Sequence, residues 1–229
     1  MRYLQLDFTR GIAIILMVIF HFSFDLSTFH FINIDIYHGN FWHYFRFLIL
    51  TLFLVCVGIS IVISNSQSIN IHKTLKRFFT LILLALFVSL ASYFTFPKSW
   101  IYFGVLHFIA FASIFALLFL RFTWINLFLG LVMVILFVLD IIHMHWLYNF
   151  VQPSLHLPKY TEDLVSFFPW FGIVLIGMFI GKKSLYMFPI AENSFTNSIA
   201  FLGKYSLFIY MAHQPLLFGL TAGADYLLH

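Results

Sequence analysis

Residues 47–64 read FLILTLFLVCVGISIVIS, and no charge occurs between Arg46 and Lys73, an uncharged run of 26 residues. A helix of about 20 apolar residues crosses a hydrocarbon core of roughly 30 Å, whereas a barrel strand needs only about 9–11 residues of alternating pattern. The run is too long and too uniformly apolar for a strand. It sets the fold class as all-α, a polytopic transmembrane helical bundle.

The rest of the chain agrees with that stretch. Its 229 residues are 62% hydrophobic and 21% aromatic, with 33 Phe, and only 9% are charged. Mean hydropathy is +1.00. Soluble domains carry about 25% charged residues, so so few charges cannot cover a surface that faces water. A soluble enzyme, a disordered chain and a disulfide-stapled secreted domain are all excluded. The single cysteine, Cys56, lies inside an apolar stretch and cannot form an internal disulfide.

Seven segments are apolar enough to span: 11–31, 44–64, 78–96, 101–120, 124–146, 165–181 and 198–220. The first resembles a signal peptide in having Arg2 and Arg10 before an apolar run. The run continues through His21 and Asp25 without a small-x-small cleavage site, which predicts a retained helix. With seven spans, Arg2, Arg10, Lys73, Lys76, Arg77, Arg121, Lys182, Lys183 and Lys204 fall on one side, against Arg46, Lys98 and Lys159 on the other. That bias predicts a cytoplasmic N-terminus and an external C-terminus. All five Trp residues fall near predicted span ends, as an interfacial aromatic belt requires. No repeat or soluble segment interrupts the pattern, so residues 1–229 are expected to form a single integral-membrane domain in contact with lipid. Nothing points to a nucleic-acid partner.

An ionisable side chain inside a membrane helix is costly and marks a functional site by default. The first span is densest in them. At 100° per residue, Asp7, His21 and Asp25 project within about 60° of Arg10. His21 and Asp25, four apart, are placed for the carboxylate to reach the imidazole, an arrangement that suits a general base. By helical rise, Asp25, His107 and His213 are expected at similar depth below the outer surface, with His21 just beneath. His43 and Arg46 open the second span from outside and share a face, where they could hold an anionic or polar acceptor. Asp140, His143 and His145 resemble metal ligands only loosely, because positions 143 and 145 face different sides of a helix. No metal is expected. His30 and His38 read as interfacial or loop residues, Lys204 as a cation that snorkels to the cytoplasmic interface. Pro169 marks a break in the sixth span.

These residues carry a resemblance. The opening YLQLDFTRGIAIILMVIFHFSFDL (3–26) resembles the first helix of bacterial members of the heparan-alpha-glucosaminide N-acetyltransferase catalytic-domain family. FRFLILTLFLVCVGIS (45–60), YFGVLHFIAFA (102–112), FPWFGIVLIGMFIG (168–181) and LGKYSLFIYMAHQPLL (202–217) resemble later parts of it in the same order. In addition, Arg10 and His21 have the spacing of an Arg and a His in the first helix of the broader integral-membrane acyltransferase class. The resemblance implies a bacterial cell-membrane enzyme that takes acetyl, or another acyl group, from cytoplasmic acetyl-CoA. The group would pass to an amine or hydroxyl of an extracytoplasmic sugar, glycolipid or cell-envelope glycan. In that route Arg10 would hold CoA phosphate, and His21, oriented by Asp25, would act as base or acyl carrier. Arg46, His107, His213 and Gln214 would line the acceptor side. Eleven residues of helix carry the chain about 16 Å deeper on nearly the same face, which suits such a route.

Larger relatives have about ten or eleven spans. Seven spans are compatible with a minimal enzyme, with a homodimer that completes the site, or with a non-catalytic membrane scaffold. A proton-coupled small-molecule transporter would use the same buried His and Asp residues. Arg10, at a cytoplasmic level suited to phosphate, and the lack of an inverted repeat favour the enzyme.

Overall fold

The computed structural model describes residues 3–36, 39–69, 71–142, 145–155, 157–161 and 163–228. Arg2, His38 and His143 lie outside the described residues, as does the side chain of His145. Among the described residues the secondary structure is helical, with no strand: α1 (Leu4–Thr28), α2 (Asn40–Ser64), α3 (Ile71–Thr95), α4 (Val105–Phe115) continued by a 3-10 turn (Ala116–Phe119), α5 (Trp124–Val138), α6 (His145–Leu155), α7 (Phe167–Lys182), α8 (Ser194–Lys204) and α9 (Ser206–Leu228).

Three of these helices, α1, α2 and α3, are long and apolar enough to cross a membrane. Each has 25 residues, a rise of about 37 Å. The apolar helices that replace the fourth, fifth and sixth predicted spans are shorter, at Val105–Phe119, Trp124–Val138 and Phe167–Lys182. Fifteen residues rise only about 22 Å. The fifth segment ends early because the chain turns at Asp140, which adopts a left-handed conformation at φ 62°. Asp140 therefore follows the helix and is not within it. In α7 the backbone at Phe168 is extended, with φ −95° and ψ 135°. A residue before proline is driven out of the helical region by the ring that follows, so the break falls at the expected Pro169.

The seventh predicted segment differs most. Residues 198–220 do not form one helix: α8 ends at Lys204, Tyr205 leaves the helical conformation, and α9 begins at Ser206. The junction falls in the short polar stretch Gly203-Lys204-Tyr205-Ser206, between the apolar residues on either side. Lys204 lies over the Tyr205 ring, 5.2 Å from its centroid.

The chain divides into two compact units. The first comprises residues 1–56 and 186–229, and contains α1, the first part of α2, α8 and α9. Its core forms around Ile14, Met17 and Ile49, with Phe20, Phe45, Phe53, Ile209 and Tyr210 packed against them. Helices α1 and α8 meet backbone to backbone: a Cβ at Gly11 would collide with the Ile199 carbonyl, and one at Gly203 with the Asp7 carbonyl. Small residues permit this approach where lipid offers no hydrophobic drive for helices to associate.

The second unit comprises residues 57–185. Here α5 lies along α7 with Gly130 and Gly172 facing one another; a Cβ on either would come within 2.8 Å of the other's carbonyl oxygen. Phe108, Val165, Val174, Leu175 and Met178 are fully buried. Asn126, also fully buried, donates from Nδ2 to the Phe119 and Phe122 carbonyls and so ties the turn before α5 to its first helical turn.

Candidate active site

Helices α1 and α9, both in the first unit, bring a set of polar side chains together. Asp25 is fully buried on the last turns of α1. Its Oδ1 accepts a hydrogen bond from Gln214 Nε2 on α9 at 2.9 Å. His213, the neighbour of Gln214, is 8% exposed, and its ring lies edge-on to that of His21, with centroids 4.8 Å apart. The Phe20 ring lies edge-on to that of His21, with centroids 5.5 Å apart.

The pairing differs from the one the i,i+4 spacing suggests. Asp25 makes its hydrogen bond to Gln214, 189 residues away, and not to His21. His21 finds its polar neighbour in His213. Helix α9 is also loosened at this level, because Pro215 has no N–H to give the Met211 carbonyl. In a membrane, such a break in the backbone ladder is tolerated where it faces protein or a polar site.

Three buried atoms in this set have no hydrogen-bond partner among the described residues: Asp25 Oδ2, His213 Nε2 and Gln214 Oε1. His213 Nδ1 lies 2.7 Å from the Tyr210 carbonyl oxygen. A carbonyl only accepts, so Nδ1 carries the proton, and in the neutral ring Nε2 is a bare lone pair. Gln214 spends its amide N–H on Asp25 and leaves an oxygen. All three unsatisfied atoms are therefore acceptors. They complement a group rich in N–H or O–H donors, such as an amine or a hydroxyl, and do not complement phosphate oxygens.

Arg10 is near the start of α1 and pairs through Nη1 with Asp7 Oδ1 at 3.2 Å. Both side chains are partly exposed. The Arg10 guanidinium is the group in α1 suited to an anionic partner. Arg46, half-buried near the start of α2, is close enough for its charge to act on His21, while His43 is exposed. Arg10, His21, Asp25, Arg46, His213 and Gln214 thus all belong to the first unit.

His107 belongs to the second unit and has a local task there. Its Nδ1 accepts from the Gly104 N–H at 3.3 Å, three residues earlier, at the start of α4. Asp163 Oδ2 accepts from the next N–H, that of Val105, also at 3.3 Å. The first amides of a helix have no partner within it, and these two side chains supply one each. The Gly104–His107 spacing is that of a capping box, with His in the place usually held by Glu or Gln. The part played by Asp163 has no counterpart in local sequence, since it comes from 58 residues away. Among the described residues no group of three or more His, Cys, Asp or Glu side chains could hold a metal ion.

Residues 2–215 match the family described as heparan-alpha-glucosaminide N-acetyltransferase, catalytic. The chain belongs to that family. Membership implies an acetyltransferase-type function, and together with the apolar helices it identifies an integral membrane protein. The match begins before Arg10 and extends just past Gln214, so both the α1 and the α9 residues of the polar set fall within it. No curated protein and no solved structure matches the chain.

Proposed function

We propose that this family member is a bacterial cell-membrane enzyme that transfers an acetyl group from acetyl-CoA to an amine or hydroxyl of a sugar, glycolipid or other cell-envelope glycan. The observation that carries this reading is the trio of partnerless acceptors, Asp25 Oδ2, His213 Nε2 and Gln214 Oε1, beside the ring of His21. An acyl acceptor brings N–H or O–H donors, and buried acceptors that lack donors are costly until one arrives.

In this reading Asp25, His213 and Gln214 hold the acceptor by its polar hydrogens, and His21 meets the acyl group. Arg46 serves the acceptor side. Arg10 presents a planar fork of donors, the geometry suited to phosphate, and binds the CoA end of the donor. Acetyl-CoA supplies an electrophilic thioester carbonyl. The protein's contribution is to bring the two substrates together and to manage the proton, from residues fixed on packed helices.

Purified protein in detergent, titrated with acetyl-CoA, tests the reading. Saturable binding that weakens at least tenfold in Arg10→Ala is expected. Absence of saturable binding by the unaltered protein overturns it.

A further inference from the structure

We infer that His213 is the proton acceptor of the transfer reaction, with the backbone carbonyl of Tyr210 as the group that makes it one. The inference rests on the acetyltransferase reading above and assigns a step within it.

A general base needs a lone pair aimed at the acceptor and a proton held elsewhere on the ring. His213 has both. Its Nδ1–H is committed to the Tyr210 carbonyl at 2.7 Å, which fixes the tautomer, and its Nε2 is buried without a partner among the described residues. Gln214, the next residue on α9, bonds Asp25, and both carry an open oxygen. In this assignment an acceptor held by those oxygens presents its N–H or O–H to the base. The i,i+3 placement of Tyr210 and His213 on one helix makes the tautomer lock a local property of α9.

His21 lacks these features. The carboxylate expected to orient it bonds Gln214 instead, and the rings of Phe20 and His213 lie beside it. The two histidines thus divide the work: His213 receives the proton, and His21 lies on the other side of the same junction, toward the acyl group.

The step balances as follows. The acceptor N–H or O–H gives its proton to Nε2 as the heteroatom's electron pair bonds the acetyl carbonyl carbon. The C–S bond breaks and its electron pair leaves on sulfur. The imidazolium then returns the proton to the thiolate, giving the free thiol and a neutral His213.

The test uses full-length protein in detergent with radiolabelled acetyl-CoA as donor and glucosamine or methyl glucoside as acceptor. His213→Ala is expected to lower kcat by about 10²–10⁴-fold, with partial recovery on adding imidazole. Because a truncated variant can fail for reasons of folding, ¹⁵N-histidine NMR of the unaltered protein supplies a second readout. His213 should be the Nδ1–H tautomer. An Nε2–H tautomer overturns the assignment, and so does an active enzyme in which His213→Ala keeps kcat within tenfold. Unaltered protein that binds acetyl-CoA but acetylates neither acceptor defeats the acetyltransferase reading, and this assignment falls with it.

Discussion

Gln214 Nε2 donates to Asp25 Oδ1 across 2.9 Å and so joins α9 to α1 through a buried amide–carboxylate bond. Its energetic role is set by burial. Asp25 is fully buried, and its other oxygen already lacks a partner. Removing the amide leaves both carboxylate oxygens without donors, a cost of about 1–3 kcal/mol or more for a charged group. Gln214→Leu is therefore expected to lower the thermal unfolding midpoint in detergent. The double variant Gln214→Leu, Asp25→Leu should recover much of that loss, since removing both partners is close to neutral when shape is kept. A double variant less stable than Gln214→Leu alone would show that the bond contributes little.

The contact between α1 and α8 makes a sharper prediction. Alanine at Gly203 would push its Cβ into the Asp7 carbonyl, and neither backbone can move away without opening the helix pair. Overpacking in a well-packed interior costs about 1–3 kcal/mol, occasionally more, so Gly203→Ala should strongly reduce folded yield. Gly219 provides the control, because nothing lies within 4 Å of its would-be Cβ. There alanine should leave stability unchanged or raise it by up to about 1 kcal/mol, as expected of Gly→Ala in a helix interior. Size-exclusion chromatography and thermal melts of the two variants separate the cases.

What could be read from sequence follows the range of the interactions. The helical, lipid-embedded character of the chain is written in long uncharged runs such as 47–64, because every backbone amide in lipid must be satisfied within its own segment. The burial of Asp25 on α1 was likewise foreshadowed, since an ionisable group inside an apolar run calls for a polar partner. Which partner it would take was not. Asp25 and Gln214 are 189 residues apart, and no periodicity links them; the nearer His21 offered a plausible partner that packing did not choose. The break at Tyr205 was hidden for a related reason. Four polar or small residues, 203–206, are compatible both with a snorkelling lysine inside one span and with a break between two helices, and the Gly203 contact that lays α8 on α1 is a tertiary event. By contrast, the use of His107 as a helix cap was present in the Gly104–His107 spacing.

The two classes of histidine should respond differently to truncation. His107 Nδ1 serves the Gly104 amide, and loss of a helix cap costs typically about 1 kcal/mol. His107→Ala is expected to lower thermal stability by that order while acetyl transfer falls less than tenfold. His21→Ala, at the junction with His213, should lose more transfer activity than His107→Ala while remaining folded. Parallel melts and rate measurements on the two variants check this. A His107 variant that is fully stable but as inactive as the His21 variant would transfer His107 from the helix cap to the substrate.

The orientation suggested by the cation count is open to a direct measurement because the chain has one cysteine and it is buried. In a Cys56→Ala background, single cysteines at exposed loop positions report sidedness to a membrane-impermeant maleimide. Ser66 and Ser184 are exposed positions on the side expected to face the cytoplasm, and Lys98 and Lys159 on the opposite side. Lys98→Cys and Lys159→Cys should label in intact cells, whereas Ser66→Cys and Ser184→Cys should label only after permeabilisation. The physical basis is that Lys and Arg near span ends are retained on the cytoplasmic side. The result also bears on the chemistry, since with the N-terminus inside Arg10 meets a cytoplasmic donor before His21 does. The reverse labelling pattern would invert the membrane orientation and remove the route from a cytoplasmic acetyl donor past Arg10. Labelling of all four positions from outside would instead show that neither segment 78–96 nor segment 165–181 crosses.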